Sequence, residues 1–366
     1  VGTGFSERQR GELCRALARD AVPAPRVTRA PKMAEATWVE PRLVCEVGFT
    51  EWTDDGKLRH PSFRGLRPDK SPLDCVRETP ASPVTLTHPE RVLYPRDRIT
   101  KQDVADYFAA VSGPMLHALA ARPLALEHFS DGIDKPSWFQ QGLQKAEPWM
   151  TLVETPTRSD GRRVRHLVAD RPEALRWFAQ HAALTIHIWS SRMSSLEAPD
   201  WVVFDLDPAE GRGIDQAVEA ALVLRGLFEK LALPSVPKTS GQRGLHILVP
   251  LASGHTHEDA LAFAREIGAA VAQALPEVTV ERTRAKRRGR LYLDCHQNGY
   301  GKTVVAPYAL RARDGAPVSA PLAWREVGRR LDPSRFTLRT MPRRLDRVGD
   351  LFAPALEPGA RLPRFR

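Results

Sequence analysis

The sequence predicts an α+β fold, and three observations in its 366 residues support that class. Apolar strand segments and amphipathic helix segments are mixed along the chain without strict alternation. Neither G-x-G-x-x-G nor G-x-x-x-x-G-K-[ST] is present, so a dinucleotide-binding sheet and a P-loop have no support. The 31 prolines lie mostly between the expected elements and mark their boundaries. The length itself predicts two or three domains.

The first part of the chain, residues 1–71, is expected to be a small β-rich domain. Its predicted elements are a helix capped by Ser6 and ending near Arg19, a proline-broken loop over 21–31, and strands over 43–49 and 58–63. The sequence Asp54-Asp55-Gly56 between the two strands is typical of a hairpin turn. Residues 72–83, PLDCVRETPASP, carry three prolines and are predicted to be a linker.

Residues 84–352 are expected to form a larger domain, followed by a tail over 353–366. The predicted elements are a helix capped by Thr100 and running through Phe108, helices over 175–183, 214–231 and 258–275, and strands over 185–189, 201–206, 244–251, 278–280 and 290–294. Strand 201–206 is nearly all apolar, which predicts burial on both of its faces.

Composition narrows the classes of function. Fifty-four Lys and Arg residues against 44 Asp and Glu give a net charge of +10, which favours a polyanionic partner such as nucleic acid. No run approaches the roughly 20 apolar residues that cross a bilayer, so no membrane partner is expected. Four scattered cysteines predict neither a disulfide framework nor a cysteine zinc site, and favour a reduced, cytosolic protein. The chain begins at Val without Met, and we interpret it as a fragment of a longer polypeptide.

The strongest chemical signal is the sequence WVVFDLDP. Asp205 and Asp207 end an apolar strand, and the two-residue period of a strand places both carboxylates on one face. Buried like charges resist ionisation unless a cation neutralises them, and Mg²⁺ prefers carboxylate oxygens. Asp294 ends another apolar strand and could complete a two-metal site for phosphoryl transfer. The simpler interpretation, a turn at Asp207 and a strand-end cap at Asp294, leaves Asp205 unexplained.

Several other residues could serve the same site. The turn KTSGQRGLH contains Ser240 and Arg243, which can donate to phosphate, and His246 follows just inside the next strand. His187 lies within a predicted strand and could reach the site, although a lone strand histidine is more often part of the core. Basic residues over 282–290, with Arg311 and Arg313, suit a polyanionic substrate. Of the adjacent pair Trp138 and Phe139, one could stack on a base.

The residues alone leave three classes of function open. The first is a metal-dependent nucleotidyltransferase that acts on nucleic acid. The second is an aspartate-nucleophile phosphohydrolase, whose pattern expects Thr or Val where this chain has Ala209. The third is a nucleic-acid-binding module without catalysis, which would leave the acidic residues without a role.

Several ordered motifs resemble the polymerase domain of bacterial end-joining DNA ligases, the LigD family, a branch of the archaeo-eukaryotic primase superfamily. The resemblance covers about residues 84–351 and is carried by FDLDP at 204–208, KTSGQRGLHILVPL at 238–251, LDCHQNGYGKTVVAPYALRAR at 293–313, LTHPERVLYPRDRITKQDVADYF at 86–108 and RPLALEHFSDGIDKPSWFQQ at 122–141. It implies an α+β primase-like polymerase domain with mixed and antiparallel sheets and flanking helices.

Residues VGTGF at 1–5 and WVEPRLVCEVGFTEWTDDGKLRHPSFRGLRPDK at 38–70 resemble the end of the OB-fold domain of an ATP-dependent DNA ligase. The resemblance implies a truncated OB-fold β-barrel over 1–71 and a parent protein that is also a ligase. The nucleotidylated lysine motif of that family, K-x-D-G, lies upstream of the residues present, so we expect no ligation by this fragment. Arg64, Arg67 and Lys70 would at most be remnants of the last ligase motif.

The resemblance also implies roles for single residues. Asp205, Asp207 and Asp294 would be catalytic and would bind two divalent ions, Mn²⁺ or Mg²⁺. The residues that would contact the incoming NTP or dNTP are His187, Ser240, Arg243, His246, Gln297, Arg311, Trp138 and Phe139. Arg91 and Lys101 would bind the 5′-phosphate of a DNA end or gap. The sequence departs from the family at His88, where Asn is common, and at His128, where Arg or Lys is usual.

The implied activity is a DNA-directed nucleotidyl transfer during non-homologous end joining. A primer 3′-hydroxyl would attack the α-phosphate of a nucleotide, with ribonucleotides expected to be preferred. Double-stranded DNA ends or gaps with a 5′-phosphate and the end-binding protein Ku are the implied partners, in the bacterial cytosol near the nucleoid.

Overall fold

The computed structural model describes residues 3–26, 36–50, 57–72, 75, 83–158 and 160–363. The chain divides into two compact units, Val1–Ala81 and Ser82–Arg366. The division lies inside the predicted linker, most of which is outside the described residues. No helix in the described ranges combines the length and the apolar character needed to cross a membrane.

The described residues of the first unit form one α-helix and two short antiparallel ladders. Its elements are α1 (Glu7–Ala18), β1 (Ala21–Val22), β2 (Trp38–Val39), β3 (Cys45–Gly48) and β4 (Ser62–Leu66). The capping box of Ser6 and Gln9 that begins α1 agrees with the predicted helix start. The predicted loop over 21–31 begins instead as strand β1, because its backbone pairs with β2. The hairpin turn at 54–56 lies outside the described residues, and the OB-fold stays an expectation of the resemblance.

The second unit is a mixed α+β structure. Its helices and strands are β5 (Val92–Tyr94), β6 (Ile99–Thr100), α2 (Lys101–Ala110), α3 (Ser112–Leu119), β7 (Leu124–His128), β8 (Trp138–Gln140), β9 (Thr151–Pro156), β10 (Arg163–Val168), α4 (Pro172–Gln180), β11 (Ala183–Trp189), β12 (Trp201–Asp207), α5 (Asp215–Lys230), β13 (Val236–Thr239), β14 (Leu245–Pro250), α6 (His257–Ala274), β15 (Val278–Thr279), β16 (Leu291–Asp294), β17 (Thr303–Val305) and α7 (Met341–Val348). The predicted tail over 353–366 contains a short 3₁₀ turn, Ala353–Ala355, and a β-bridge between Ala360 and Leu251.

Two sheets organise this unit. The five-stranded sheet has the order β13-β14-β12-β16-β15 and is antiparallel except for the parallel pair β15 and β16. The four-stranded sheet has the order β17-β11-β7-β8 and is antiparallel throughout. This arrangement confirms the predicted α+β class with mixed and antiparallel sheets.

Strand β12 is the centre of the core, and its two faces pack into different clusters. Val202, Phe204 and Leu206 belong to the cluster covered by α5 and α6. Trp201 and Val203 belong to the other cluster, which includes residues of α2, α4 and β11. All five side chains are at most 1% exposed, which confirms the predicted burial on both faces. Since side chains alternate along a strand, Asp205 and Asp207 continue the face of Trp201 and Val203.

Most predicted elements are present, with shifted ends. Thr100 caps α2 through a reciprocal capping box with Asp103, as predicted. The predicted helix over 175–183 ends earlier, at Gln180, because Ala182 adopts the left-handed backbone conformation and Ala183 already pairs in β11. The predicted turn over 238–246 is shorter, because Lys238 and Thr239 pair with β14 as the end of β13.

At the end of that turn, Gly244 lies against the backbone of β12. A Cβ added at Gly244 would collide with the backbone oxygen of Leu206 in β12. We expect Gly244→Ala to lower the free energy of unfolding by about 1–3 kcal/mol, since backbone cannot move aside as a side chain can. The measurement is urea unfolding at equilibrium.

The matched control is Gly226→Ala in the interior of α5, where an added Cβ would meet no atom within 4 Å. That substitution is expected to stabilise the protein by about 1 kcal/mol through helix propensity. Equal or greater stability of Gly244→Ala would contradict the proposed steric constraint.

Candidate active site

Strand register brings four polar residues into one row across the five-stranded sheet. Lys238 pairs with His246, His246 pairs with Asp205, and Asp205 pairs with Asp294. Neighbouring strands lie about 4.7–4.9 Å apart, and directly paired residues project from the same face. Asp207 lies two residues beyond Asp205 on that same face. The structure thus brings together the three aspartates that the sequence selected.

The two aspartates of β12 have different electrostatic environments. Burial alone would raise the pKa of Asp205, but the charges of His246, Lys238 and Arg311 and a hydrogen bond from His246 hold it below its usual range. The His246 Nε2 atom is 3.3 Å from Asp205 Oδ1. The pKa of Asp207 is raised, first by desolvation and then by the negative charge of Asp205. Two carboxylates so close together favour a cation between them.

Asp294 is fixed from its own strand end. Its Oδ1 atom accepts a hydrogen bond from the His296 backbone N–H (2.8 Å), and its Oδ2 atom accepts one from Gln297 Nε2 (3.1 Å). Gln297, for which the sequence predicts a nucleotide contact, therefore orients an aspartate here. Asn298 is buried next to it and bonds both backbone groups of Val203, which ties this segment to β12.

Lys238 belongs to the site, and the sequence reasoning did not select it. Its side chain is fully buried, and Nζ lies 2.8 Å from both His246 Nδ1 and Ser319 Oγ. Because the Asp205 carboxylate can only accept, His246 carries its proton on Nε2 and accepts from Lys238 through Nδ1. Burial drives the pKa of Lys238 well below its usual range. The sequence offered one indication of this role: the apolar residue Val236 begins strand β13, and Lys238 lies two residues later on the same face of that strand.

The turn after β13 is closed by Ser240. Its Oγ atom accepts hydrogen bonds from the backbone N–H groups of Gln242 (3.3 Å) and Gly244 (3.1 Å). Gly241 has φ +72° and packs so closely on Arg311 that a Cβ there would lie 2.6 Å from the Arg311 Cγ atom. The Arg311 guanidinium faces the Gln242 amide, whose oxygen accepts from Nη2 at 2.6 Å in the orientation that satisfies both groups.

Two cavities open on either side of Arg243, which is exposed. One, of about 380 Å³, is lined by Asp207 together with the basic residues Arg284, Arg287 and Arg290. These arginines belong to the basic segment over 282–290 that the sequence singled out. The other cavity, of about 400 Å³, includes Gln242 and Arg313. Cationic side chains therefore line the space next to Asp207.

Two residues of the four-stranded sheet, His187 in β11 and Phe139 in β8, also lie at the candidate active site. The pKa of His187 is lowered to about 3, first by burial and then by the charges of Arg311, Lys238 and His246, which places His187 beside the row. Phe139 meets the His187 ring edge-to-face at a centroid distance of 5.6 Å. Phe139 is 49% exposed, so its ring is available to a ligand.

Trp138 points to the opposite face of β8, because adjacent strand residues alternate. It stacks on His128 with ring centroids 4.0 Å apart, and His128 is held by Gln140 (2.8 Å). Only Phe139 of the aromatic pair thus shares a sheet face with His187. His128, where the family usually has a basic residue, is a buried ring whose pKa is lowered by desolvation, and it supports Trp138.

Arg91 and Lys101 lie together at the hairpin of β5 and β6. The Lys101 backbone N–H donates to the Arg91 carbonyl at 2.8 Å, and Arg91 Nη1 donates to the Ser130 carbonyl at 3.0 Å. The Lys101 ammonium donates to the Thr87 carbonyl at 2.9 Å. Burial and then the charge of Arg91 lower the pKa of Lys101. His88 is exposed at the same place, with its Nδ1 atom 3.6 Å from Glu90.

The fit of a metal to these residues can be judged from the donor set. Three carboxylates share one face and adjacent register positions, and this is the oxygen chemistry that Mg²⁺ and Mn²⁺ prefer. Within the described ranges, however, no group of three or more His, Cys, Asp or Glu side chains is arranged to hold a metal ion. The donor chemistry and the shared sheet face therefore fit Mg²⁺ or Mn²⁺, whereas the side-chain arrangement in this structure is not that of a formed metal site, so metal binding stays a prediction.

Comparisons with known proteins agree with this architecture. Residues 100–352 match the family model of the LigD primase-polymerase domain, and residues 1–70 match that of the C-terminal region of ATP-dependent DNA ligases. The multifunctional non-homologous end joining protein LigD of Mycolicibacterium smegmatis is 36% identical over 276 residues, which cover 74% of this chain and 36% of the relative. The protein of the same name from Pseudomonas aeruginosa is 30% identical in an alignment 383 positions long that covers 95% of this chain and 44% of the relative.

The chain therefore spans less than half the length of these curated relatives. Among solved structures, the polymerase domain of Mycobacterium tuberculosis ligase D, determined in complex with DNA, matches with a TM-score of 0.69 and 33% identity. The match covers 75% of this chain and 98% of that domain. On this fold, this row of residues and these matches, the chain belongs to the LigD primase-polymerase domain family.

Proposed function

We propose that this chain is a metal-dependent nucleotidyltransferase that adds nucleotides to a DNA 3′ end at breaks or gaps carrying a 5′-phosphate. The observation that carries the proposal is the register that places Asp205, Asp207 and Asp294 on one sheet face beside cationic side chains. The relatives' names and the DNA complex of the related domain support a role in DNA end joining.

Asp205, Asp207 and Asp294 would hold two divalent ions, Mn²⁺ or Mg²⁺. When bound, such ions make a 3′-hydroxyl more nucleophilic and stabilise the leaving pyrophosphate. The protein's own part is to position the reactants. His246 keeps an N–H directed at Asp205 because Lys238 occupies its other nitrogen, and His296 and Gln297 fix Asp294.

The substrate is an NTP or dNTP, with ribonucleotides expected to be preferred. Arg243 is exposed beside Asp207, where it can donate to the triphosphate. Ser240 uses its lone pairs within the turn, which leaves the hydroxyl proton to be donated. Arg311 would neutralise phosphate charge, and the exposed ring of Phe139 would stack on the base or sugar.

The DNA end itself would be held at a separate place. Arg91 and Lys101 would bind the 5′-phosphate, with Ku as the partner that brings DNA ends to the protein in the bacterial cytosol near the nucleoid. The end-joining names of the relatives support DNA ends as the substrate.

The central test is primer extension on a gapped, 5′-phosphorylated duplex with Mn²⁺ or Mg²⁺ and either NTPs or dNTPs. Asp205→Asn and Asp207→Asn are expected to reduce addition by at least about 100-fold, since even outer-shell partners of a metal contribute about 10–100-fold. DNA binding, measured by anisotropy, should be retained. Glu229→Gln, on the exposed end of α5, is the control. Full activity of either Asp variant, or phosphate release without nucleotide addition by the unchanged protein, would reject the proposal.

Lys238 provides a test of the positioning role. Lys238→Met keeps the volume of the side chain but removes the donor to His246, so we expect addition to fall by about 10–100-fold. Steady-state kinetics with varied nucleotide measures the effect, and thermal unfolding shows whether the fold persists. Lys230→Met, at the exposed end of α5, should behave as the unchanged protein. Normal turnover of a folded Lys238→Met would exclude the positioning role.

The 5′-phosphate site is tested by comparing phosphorylated and unphosphorylated ends. Arg91→Ala and Lys101→Ala are each expected to weaken binding of the phosphorylated end by about 10–100-fold, because hydrogen bonds to charged groups contribute about 1.5–3 kcal/mol. Arg96→Ala is the control on the same hairpin, since Arg96 is already paired with Asp314 at 3.0 Å. Equal weakening for both kinds of end would indicate a nonspecific basic surface instead.

A further inference from the structure

A second strongly basic feature lies outside the residues described so far. A cleft of about 640 Å³ is formed by α7 and by the segment that precedes it, residues 325–340. We call it the arginine cleft, and seven arginines line it: Arg325, Arg330, Arg335, Arg339, Arg343, Arg344 and Arg347. All of these except Arg344 are exposed.

The carboxylates of the cleft are already engaged. Glu326 accepts two hydrogen bonds from the buried Arg344, both 2.7 Å long, and the Arg344 guanidinium lies over the Phe336 ring. The other lining carboxylate, Asp332, accepts from the backbone and hydroxyl of Ser334. Within the described ranges, none of the six exposed arginines of the cleft forms an ion pair with a carboxylate.

Helix α7 packs apolar side chains against the core and exposes two of its arginines to solvent. Met341 is buried and Leu345 packs against the core, whereas Arg343 and Arg347 are exposed in the cleft. Arg339 is held by the backbone carbonyl of Asp97, so its guanidinium has a fixed position. Uncompensated cations in a concave surface repel one another and focus a positive potential, which favours a bound polyanion.

The arginine cleft adjoins the candidate active site. Asp332 lines both the cleft and the cavity of about 400 Å³ that contains Gln242 and Arg243. That cavity also includes two further exposed arginines, Arg212 and Arg313. A basic surface therefore runs from the nucleotide-binding turn to α7.

We propose that the arginine cleft binds the phosphate backbone of DNA beyond the base pairs that occupy the active site. Guanidinium groups match phosphate oxygens in a bidentate manner, which favours arginine over lysine at such a surface. The six exposed guanidinium groups, none of them paired with a carboxylate within the described residues, would neutralise successive phosphates of one strand. The proposed function enters this inference at one point only, the assumption that DNA bound at the active site continues toward the arginine cleft.

The test compares binding of a short gapped duplex with one extended by about two helical turns, roughly 20 bp. The triple variant Arg335→Ala, Arg343→Ala and Arg347→Ala should lose affinity for the long duplex by about 10-fold or more at low salt. Its slope of log affinity against log salt should become shallower by about 2 to 3, because each lost phosphate contact removes about 0.9. Affinity for the short duplex should be unchanged.

The matched control replaces three exposed arginines that are already paired with carboxylates: Arg158→Ala, Arg163→Ala and Arg171→Ala. This variant should keep the salt slope of the unchanged protein. An unchanged slope for the cleft variant would overturn the proposal and would fit an acidic protein segment as the occupant. Nucleotide addition on the short duplex is scored separately, so a protein that binds through the cleft but adds no nucleotide would reject the proposed function alone.

Discussion

The pairing of Asp205 with Asp294 is the constraint on which the rest of the site depends. It fixes β12 and β16 in one antiparallel register, and the register then decides which side chains share a face. A slip by one residue would move the aspartates to the face covered by α5 and α6 and bury uncompensated charge in an apolar core. Phe204 and Leu206 prevent that slip, because they occupy the apolar face in the observed register.

The row across the sheet has a chemical order as well as a geometric one. It runs from the amine of Lys238, through the imidazole of His246, to the carboxylate of Asp205. Lys238 and His246 are buried and Asp205 is partly buried, so an unpaired charge in the row would be costly and each member is stabilised by its neighbour. Asp207 lies at the open end of this arrangement, where Arg243 and the basic loop before β16 provide the nearest cations.

Sequence reasoning located the elements with the clearest periodicity. The run ending in Asp205 and Asp207 is nearly all apolar, which is typical of a strand buried on both faces, and Thr100 and Ser6 carry a cap signal that depends on neighbouring residues alone. It missed Lys238 because Pro237 and the glycines that follow resemble a turn, whereas the hydrogen bonds that make it a strand come from β14. Gln297, for which a nucleotide contact is expected, donates to Asp294 three residues before it, and Trp138 stacks on His128 on the other face of β8 from Phe139. The nucleotide contacts of Gln297 and Trp138 stay predictions.

The sequence by itself determined the α+β class, the strands that end in carboxylates, the caps of α1 and α2 and the family, since these depend on local patterns and ordered motifs. Only the tertiary structure decided that Lys238, His246, Asp205 and Asp294 form one row, that Phe139 rather than Trp138 shares the face of His187, and that six exposed arginines gather in one cleft. The physical reason is that hydrogen-bond register and packing join segments distant along the chain, and no local pattern specifies which segments become neighbours.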